Sequence, residues 1–344
     1  MTSRIAVVGA GLIGRRHIDL IQRNPDTELA SVTDPQNGPP DLGVPVYADL
    51  GEMLSHDRPD GVILATPNHL HAQQVAACIE AGLPTLVEKP VTDRHDDALR
   101  LAALAEDAGV PVLVGHHRRH SPLLQAASAA IAAGELGDIV AVSGTAMYHK
   151  PDEYFEAGPW RREAGGGPIL VNLIHEVDDL RMLCGDIVEV GAVASSATRG
   201  FDVEDTVAMT FRFASGALGS FILSDTAASI RSWENLSGED PGFPRYADAD
   251  CYVVSGTRGS LEMPTMRLRT PRGAPSWWSP MDERVLPVTP RDPLDAQLEH
   301  FVDLIRGGRD PLVTIRDAAE TLRVTLAIAA AAHPSLAPEA GARR

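Results

Sequence analysis

Cysteine is scarce in this chain: Cys78, Cys184 and Cys251 stand far apart and are odd in number. Such spacing makes neither a disulfide framework nor a zinc-type ligand pattern. The thiols therefore read as small buried apolar side chains in a reducing, cytoplasmic setting. Basic charge is also short, with 30 Lys and Arg against 47 Asp and Glu and a net charge of −17. A chain this acidic lacks the cations that neutralise phosphates, which argues against non-specific nucleic-acid binding. No apolar run approaches the roughly 18–20 residues of a membrane span. The start, MTSRIAVVGAG, carries one Arg before a short apolar run and no small-residue cleavage site, so it reads as a first strand rather than a secretory signal. No internal repeat is visible. What remains is a soluble chain whose partners are small molecules, with no nucleic acid and no membrane.

A length of 344 residues exceeds one ordinary domain and sets two as the expectation. In the first part, short apolar runs at 5–8, 29–32, 62–65, 85–87 and 112–115 alternate with helical patterns at 12–23, 69–81 and 93–107. Runs buried on both faces with helices between them predict a doubly wound parallel sheet, the α/β Rossmann arrangement. Past about residue 135 the pattern changes. Thr206–Phe213 alternates, ASG turns the chain, and 217–223 continues, which is a hairpin signature. Further strands are expected at 138–147, 187–196, 250–255 and 260–263, and helices at 172–184, 294–306 and 315–332. The second domain thus reads as α+β with an open, mainly antiparallel sheet. The division is 1–122 for nucleotide binding, 123–332 for substrate and oligomerisation, and 333–344 as a frayed tail. Residues 225–248 lack regular patterning yet hold Trp233, Glu234, Phe243 and Tyr246, and read as an ordered loop near a site.

Gly9-Ala10-Gly11-Leu12-Ile13-Gly14 joins the first strand to the first helix. Gly9 permits the tight turn, Gly11 lets backbone approach a pyrophosphate, and Gly14 lets helix and strand pack closely. The helix start, with Leu12 and Ile13 in its first turn, offers unpaired N–H groups to phosphate. Asp34, 20 residues after Gly14, ends the second strand and is placed to accept from ribose hydroxyls. A carboxylate there repels a 2′-phosphate, so NAD is expected over NADP. Thr66-Pro67-Asn68-His69-Leu70-His71 and Glu88-Lys89-Pro90 follow two further parallel strands, at the carboxyl ends where ligands collect. Thr66, Pro67, Asn68, His71, Glu88 and Lys89 join the glycines and Asp34 as cofactor contacts. Pro90 keeps Lys89 extended, within reach of a nicotinamide and a substrate oxygen. Taken alone, a lysine at a strand end is more often simply solvated.

Gly165-Gly166-Gly167 precedes ILVNLIHEVDDL. The glycine run permits close approach of backbone to a ligand. A helix from about 170 sets Val171, His175 and Asp178 on one stripe. The ordered set GAGLIGRRH, TPNHLH, VEKPVT, VGHHRRHSP, PWRREAGGGPILVNLIHEVDDL and GTRGSL spans about three-quarters of the chain. In this it resembles the glucose–fructose oxidoreductase, inositol dehydrogenase and rhizopine-catabolism (Gfo/Idh/MocA) family. The resemblance implies NAD(P)-dependent oxidation of a carbinol carbon in a small cyclic polyol, sugar or related alcohol, by a homodimer or homotetramer joined through the open sheet. Lys89 corresponds to the family's EKP lysine and His175 to its catalytic-region histidine. On that carry-over His175 takes the hydroxyl proton and Lys89 holds the substrate oxygen. The reverse assignment, with Lys89 as base, stays open.

Candidate substrate contacts are Arg118, Arg119, Trp160, Arg161, Asn172 and Asp178. Either Arg118 or Arg119 grips a substrate carboxylate, or one of them pairs with a nearby acidic residue. Val171 stands where many family members carry Asp, and Leu173 where the family has a second glycine. The carboxylate that would support His175 is then absent unless Asp178 or Asp179 serves. His69, His71, His116, His117 and His120 are dense enough to raise a metal question. They sit at two strand ends without a Cys or acidic partner at ligand spacing, so no metal is expected. His71 is expected by the cofactor, and His116 or His117 on its nicotinamide side. Two other functions compete: a dehydrogenase of a carboxylated dihydrodiol or imino acid, and a non-catalytic NAD-dependent sensor on the same fold.

Overall fold

The structure, a computed structural model, describes residues 2–36 and 42–333. Two compact units emerge. The first holds residues 1–120 and 293–322, the second 121–292 and 323–344.

The first unit opens with β1 (Ser3–Val8), α1 (Leu12–Arg23), β2 (Thr27–Thr33), β3 (Val46–Tyr47) and α2 (Leu50–His56). It continues with β4 (Gly61–Leu64), α3 (Asn68–Glu80), β5 (Thr85–Glu88), α4 (His95–Ala108) and β6 (Val112–Gly115). The sheet order is β3-β2-β1-β4-β5-β6, and every pairing is parallel. Strands such as β4 (GVIL) and β6 (VLVG) are buried at every residue, the reason they read as continuous apolar runs rather than alternations. The order reverses at β1, between β2 and β4, which makes the carboxyl ends of these strands the ligand crevice of an open α/β sheet. The sequence reading passed over β3 and α2, which are too short to show a period.

The second unit runs α5 (Pro122–Ala132), β7 (Ile139–Met147), α6 (Asp152–Glu156), α7 (Ile174–Cys184), β8 (Ile187–Ser195), β9 (Thr206–Phe213) and β10 (Leu218–Ser224). After these come α8 (Trp233–Ser237), β11 (Tyr252–Gly256), β12 (Ser260–Met263), β13 (Arg267–Pro271) and β14 (Met281–Val285). The sheet order is β14-β13-β12-β11-β7-β10-β9-β8. All neighbours are antiparallel except β7 and β10. Along β9 the residues alternate buried and outward after the first position, the period of a sheet with one covered face. Residues 225–248 are not a bare loop: α8 forms within them. Trp233 is buried, while Phe243 and Tyr246 are exposed.

The chain then returns. α9 (Pro293–Ile305) belongs to the first unit, and α10 (Ile315–Ala332) begins there and ends in the second. The sequence reading assigned 123–332 wholly to the second domain; the stretch 293–322 lies with the first. An amphipathic pattern marks an apolar face without naming the surface that covers it. Here Leu298, Phe301, Val302 and Leu304 of α9 join Ile5, Ile18, Ile63 and Leu86 in one core. At roughly 1.5–3 kcal/mol per buried large side chain, such a helix contributes on the order of 10 kcal/mol before entropy. Gly61 makes the contact possible, since a Cβ there would lie 2.6 Å from Ile305 Cδ1 and 2.9 Å from Phe301 Cζ. The expected tail 333–344 lies outside the described residues from 334 onward. Among the described residues, no helix is long and apolar enough to cross a membrane.

Candidate active site

The turn after β1 is built to leave no room inside and open space outside. Gly9 has φ +93°, and a Cβ on it would lie 2.7 Å from the Ala65 carbonyl oxygen. A Cβ on Gly14 would lie 1.9 Å from the Gly9 carbonyl oxygen. By contrast, a Cβ on Gly11 would meet nothing within 4 Å. No side chain caps α1 at Gly11, and Leu12 in its first turn is 90% exposed, so the first-turn N–H groups are presented outward. Asp34 braces this turn: Ala10 N–H donates to Oδ2 at 2.9 Å and Gln36 N–H to Oδ1 at 2.8 Å. Each oxygen keeps a lone pair for a further donor. Beside it lies a groove of about 550 Å³ lined by Gly9, Thr33, Pro35, Leu54, Thr66 and Leu70. The ends of β1, β2 and β4 therefore meet at one concavity.

Two histidines tie the strand-end loops together. His71 is buried, with Nδ1 2.8 Å from the Pro90 carbonyl and Nε2 2.9 Å from the Thr66 carbonyl. Both ring nitrogens are thus engaged by backbone, and the ring links the 66–68 loop to the one that carries Lys89. Burial pulls its pKa below the usual value, against the two carbonyls and Glu88, which favour the imidazolium. His17, three residues past Gly14, sets Nε2 2.8 Å from Glu88 Oε1. Lys89 N–H donates to the other Glu88 oxygen at 3.3 Å. Desolvation pushes the Glu88 carboxyl up, but the His17 hydrogen bond and the positive charges of His17, His117 and Lys89 outweigh it and hold the group below the usual range. Glu88 therefore stays an anion at neutral pH and connects α1 to the turn of Lys89.

The segment after β6 is a 3₁₀ turn over His117–His120. His116 and Arg118 within and before it are buried. Arg119 donates to Asp317 Oδ2 at 3.1 Å, the acidic pairing that the sequence left as an alternative. His120 Nε2 meets His300 Nδ1 at 2.9 Å, and His300 Nε2 lies 3.0 Å from the Asp310 carbonyl. Since a carbonyl only accepts, His300 donates through Nε2, and one hydrogen is shared between His120 Nε2 and His300 Nδ1. Among the described residues, no three His, Cys, Asp or Glu side chains converge as metal ligands.

In the second unit Gly166 and Gly167 serve the chain's own packing. A Cβ on Gly166 would lie 2.2 Å from the Trp160 carbonyl oxygen, and one on Gly167 would lie 2.5 Å from Glu204 Oε1. At Gly166 and Gly167 the close approach is to the chain itself, while a Cβ on Gly165 would meet nothing within 4 Å. Glu204 accepts from Ile169 N–H at 2.9 Å. The next turn, Ile169–Leu173, is π-helical, and α7 starts only at Ile174. Val171 and His175 therefore do not share one regular α-helical stripe, a correction to the sequence reading; such bulges recur at functional sites. His175 is half-buried in the first turn of α7. Asp178 and Asp179 are buried, and Glu176 and Asp179 both contact the Tyr252 hydroxyl. Trp160 is 54% exposed.

Asn172 has a partner that the sequence reading missed. Lys150 Nζ donates to Asn172 Oδ1 at 2.6 Å and lies 3.7 Å from Asp225 Oδ2. The amine also stands 4.7 Å from the Tyr154 ring centre, and the Arg161 guanidinium stands 3.9 Å from the same centre. Burial is the largest influence on both members of the Lys150–Asp225 pair: it lowers the amine to about 8 and raises the carboxyl despite their attraction. A signal did exist. The chain contains 28 arginines and only two lysines, and both lysines, Lys89 and Lys150, precede proline.

Comparison with known proteins follows the same division. The oxidoreductase family with an NAD-binding Rossmann fold matches residues 3–116, and the family's C-terminal domain matches 124–262. The 1,5-anhydro-D-fructose reductase of Ensifer adhaerens is 31% identical over 290 residues, covering 84% of this chain and 82% of the relative. The chain belongs to the GFO/IDH/MocA family. The rhizopine catabolism protein MocA of Rhizobium meliloti is 30% identical across 93% of this chain and 92% of its own length. The WlbA dehydrogenase of Bordetella pertussis, solved with NADH and UDP-GlcNAcA, superposes with a TM-score of 0.77 over 98% of both chains at 24% identity; that likeness shows the fold. The first unit of this GFO/IDH/MocA protein has features that fit a dinucleotide: open space at Gly11, a first helix without a side-chain cap, and a half-buried Asp34 beside the turn.

Proposed function

We propose that this protein is an NAD-dependent dehydrogenase acting on the carbinol carbon of a small sugar, cyclic polyol or related alcohol. The observation that carries this reading is the braced glycine turn, in which Gly9 and Gly14 have no room for a side chain while Gly11 has open space, next to a groove lined by Gly9, Thr33 and Pro35. NAD supplies the hydride acceptor at nicotinamide C4 when bound. The N–H groups of α1 hold the pyrophosphate, and Asp34 accepts from the ribose hydroxyls. A 2′-phosphate would bring a second negative charge against a carboxylate already held in place by Ala10 and Gln36, which favours NAD over NADP. Leu12, Ile13, Thr66, Pro67 and Asn68 line the way along the strand ends.

His175 takes the hydroxyl proton as general base. Lys89, its turn held by Glu88 and His71, hydrogen-bonds the substrate oxygen and stabilises the charge that develops there. The sugar-reductase name of one relative supports the substrate class. We also read the protein as cytoplasmic and homo-oligomeric. Val140, Val193, Leu218 and Ile222 leave an apolar outer face on the second unit's sheet, which suits burial against another copy.

The test is NADH formation on mixing the protein and NAD with a panel of cyclitols and aldoses, repeated with Lys89→Ala and His175→Ala. NAD binding with no turnover of any panel member would favour a sensor and overturn the enzymatic reading.

A further inference from the structure

We propose that Lys150, with Arg161 beside it, forms a substrate-recognition subsite for a carboxylate, directing this family member to an acidic sugar rather than a neutral one. This rests on the oxidoreductase reading above and adds the substrate's charge.

Composition makes Lys150 an exception. Twenty-eight of the 30 basic residues are arginine, so the chain meets its general need for a cation with a guanidinium. An ammonium is a compact point charge that fits where a planar fork does not. Lys150 occupies such a place: its side chain is 12% exposed, with the Tyr148 and Tyr154 ring centres 5.8 and 4.7 Å away. Asn172, in the turn that leads into His175, fixes the amine from one side.

Asp225 pairs with Lys150, and Arg199 already donates to its Oδ1 at 3.0 Å. Arg199 is further held by the carbonyls of Lys150 and Asp225 at 2.8 and 2.6 Å. Its other acidic neighbours are Asp152 at 3.8 Å, 87% exposed, and buried Asp205, whose Oδ2 accepts from the Arg199 backbone N–H at 3.0 Å. Arg161, stacked on Tyr154 and donating to the Tyr154 carbonyl, brings a further positive charge to this cluster. Both Arg161 and Arg199 disfavour the charged amine. An incoming carboxylate relieves that repulsion, whereas a neutral hydroxyl leaves it in place. The Trp160 ring centre lies 5.4 Å from the Arg161 guanidinium, and this residue is 54% exposed.

The experiment compares D-glucuronate with D-glucose, and D-galacturonate with D-galactose, on the full-length protein loaded with NADH for binding or NAD for turnover. Calorimetric titration reads binding, and NADH formation reads turnover. Wild type should prefer the uronate of each pair. Lys150→Met should lower the uronate-to-aldose ratio on the order of 10–100-fold, the loss expected for a charge-assisted hydrogen bond. Lys150→Arg should recover part of that ratio. Asp225 keeps Arg199 as its partner in Lys150→Met, so the variant should fold, and its melting temperature checks this. Arg161→Gln supplies an independent loss should it not.

An unchanged ratio in Lys150→Met, an aldose bound as well as its uronate by wild type, or tighter binding of glucose 6-phosphate than of glucuronate would each overturn the proposal. Uronate binding that depends on Lys150 without turnover would instead sink the dehydrogenase reading and leave the subsite standing.

Discussion

His120 links acid stability to the loop behind His116–Arg119. Burial, then the charges of His300, His117 and Arg119, lower its pKa from 6.5 to about 3, against a favourable contact with the His117 backbone. The folded state therefore keeps His120 neutral where the unfolded chain protonates it. A folded pKa below the unfolded one means that the unfolded state binds the extra proton between these values, so stability falls as the pH falls. The contribution is complete above about pH 6.5 and is lost at about 1.4 kcal/mol per unit on the way down, or about 2 kcal/mol by about pH 5. Replacing His120 by Gln keeps an N–H for His300 Nδ1 but removes the titration. Urea denaturation at about pH 7.5 and about pH 5 should then show the variant losing about 2 kcal/mol less than wild type between the two conditions. Equal losses in both proteins would refute the reasoning, because the other histidines are common to both.

Gly14→Ala should cost about 1–3 kcal/mol of stability and weaken NAD at least about tenfold, since the new Cβ would lie 1.9 Å from the backbone oxygen of Gly9; denaturation and NADH titration check this, and normal binding would contradict the packing argument. Asp34→Ala should weaken NAD by roughly 10–100-fold and NADP by less, read as dissociation constants for the two cofactors; an equal effect on both would remove Asp34 from the ribose. Lys89→Ala should lower turnover by about 10² or more with NAD binding kept, and unchanged turnover would take the amine out of the reaction. Leu298→Ala should cost about 2–5 kcal/mol, since α9 shares the core of the first unit; a surface-like loss under about 0.5 kcal/mol would contradict that placement.

Much of the proposed site was legible because the groups proposed to hold a dinucleotide are consecutive or set at a fixed spacing. Gly9, Gly11, Gly14 and Asp34 needed only the alternation of strand and helix around them. Harder to see were pairs whose members are distant in sequence. His17 and Glu88 are 71 residues apart, and Lys150 and Asn172 are 22 apart. Each residue alone resembles many others that do nothing. Gly166 and Gly167 were ambiguous for a related reason: small size marks close approach without saying what approaches, and here it is the carbonyl of Trp160 and the carboxylate of Glu204. The rarity of lysine was open to inspection throughout and would have singled out Lys150.

From the order of residues alone came the parallel sheet, the hairpin of β9 and β10, the glycine turn with its acidic partner, and the family. These follow from local periods and fixed spacings, which chain geometry translates directly into structure. Tertiary packing alone decided that α9 belongs to the first core, that the turn before His175 is π-helical, and that the neighbours of Lys150 include Asn172, Asp225 and the Tyr154 ring. The physical reason is that an apolar face or a lone charge states a need, and which surface or counter-charge meets it depends on contacts among segments far apart in the chain.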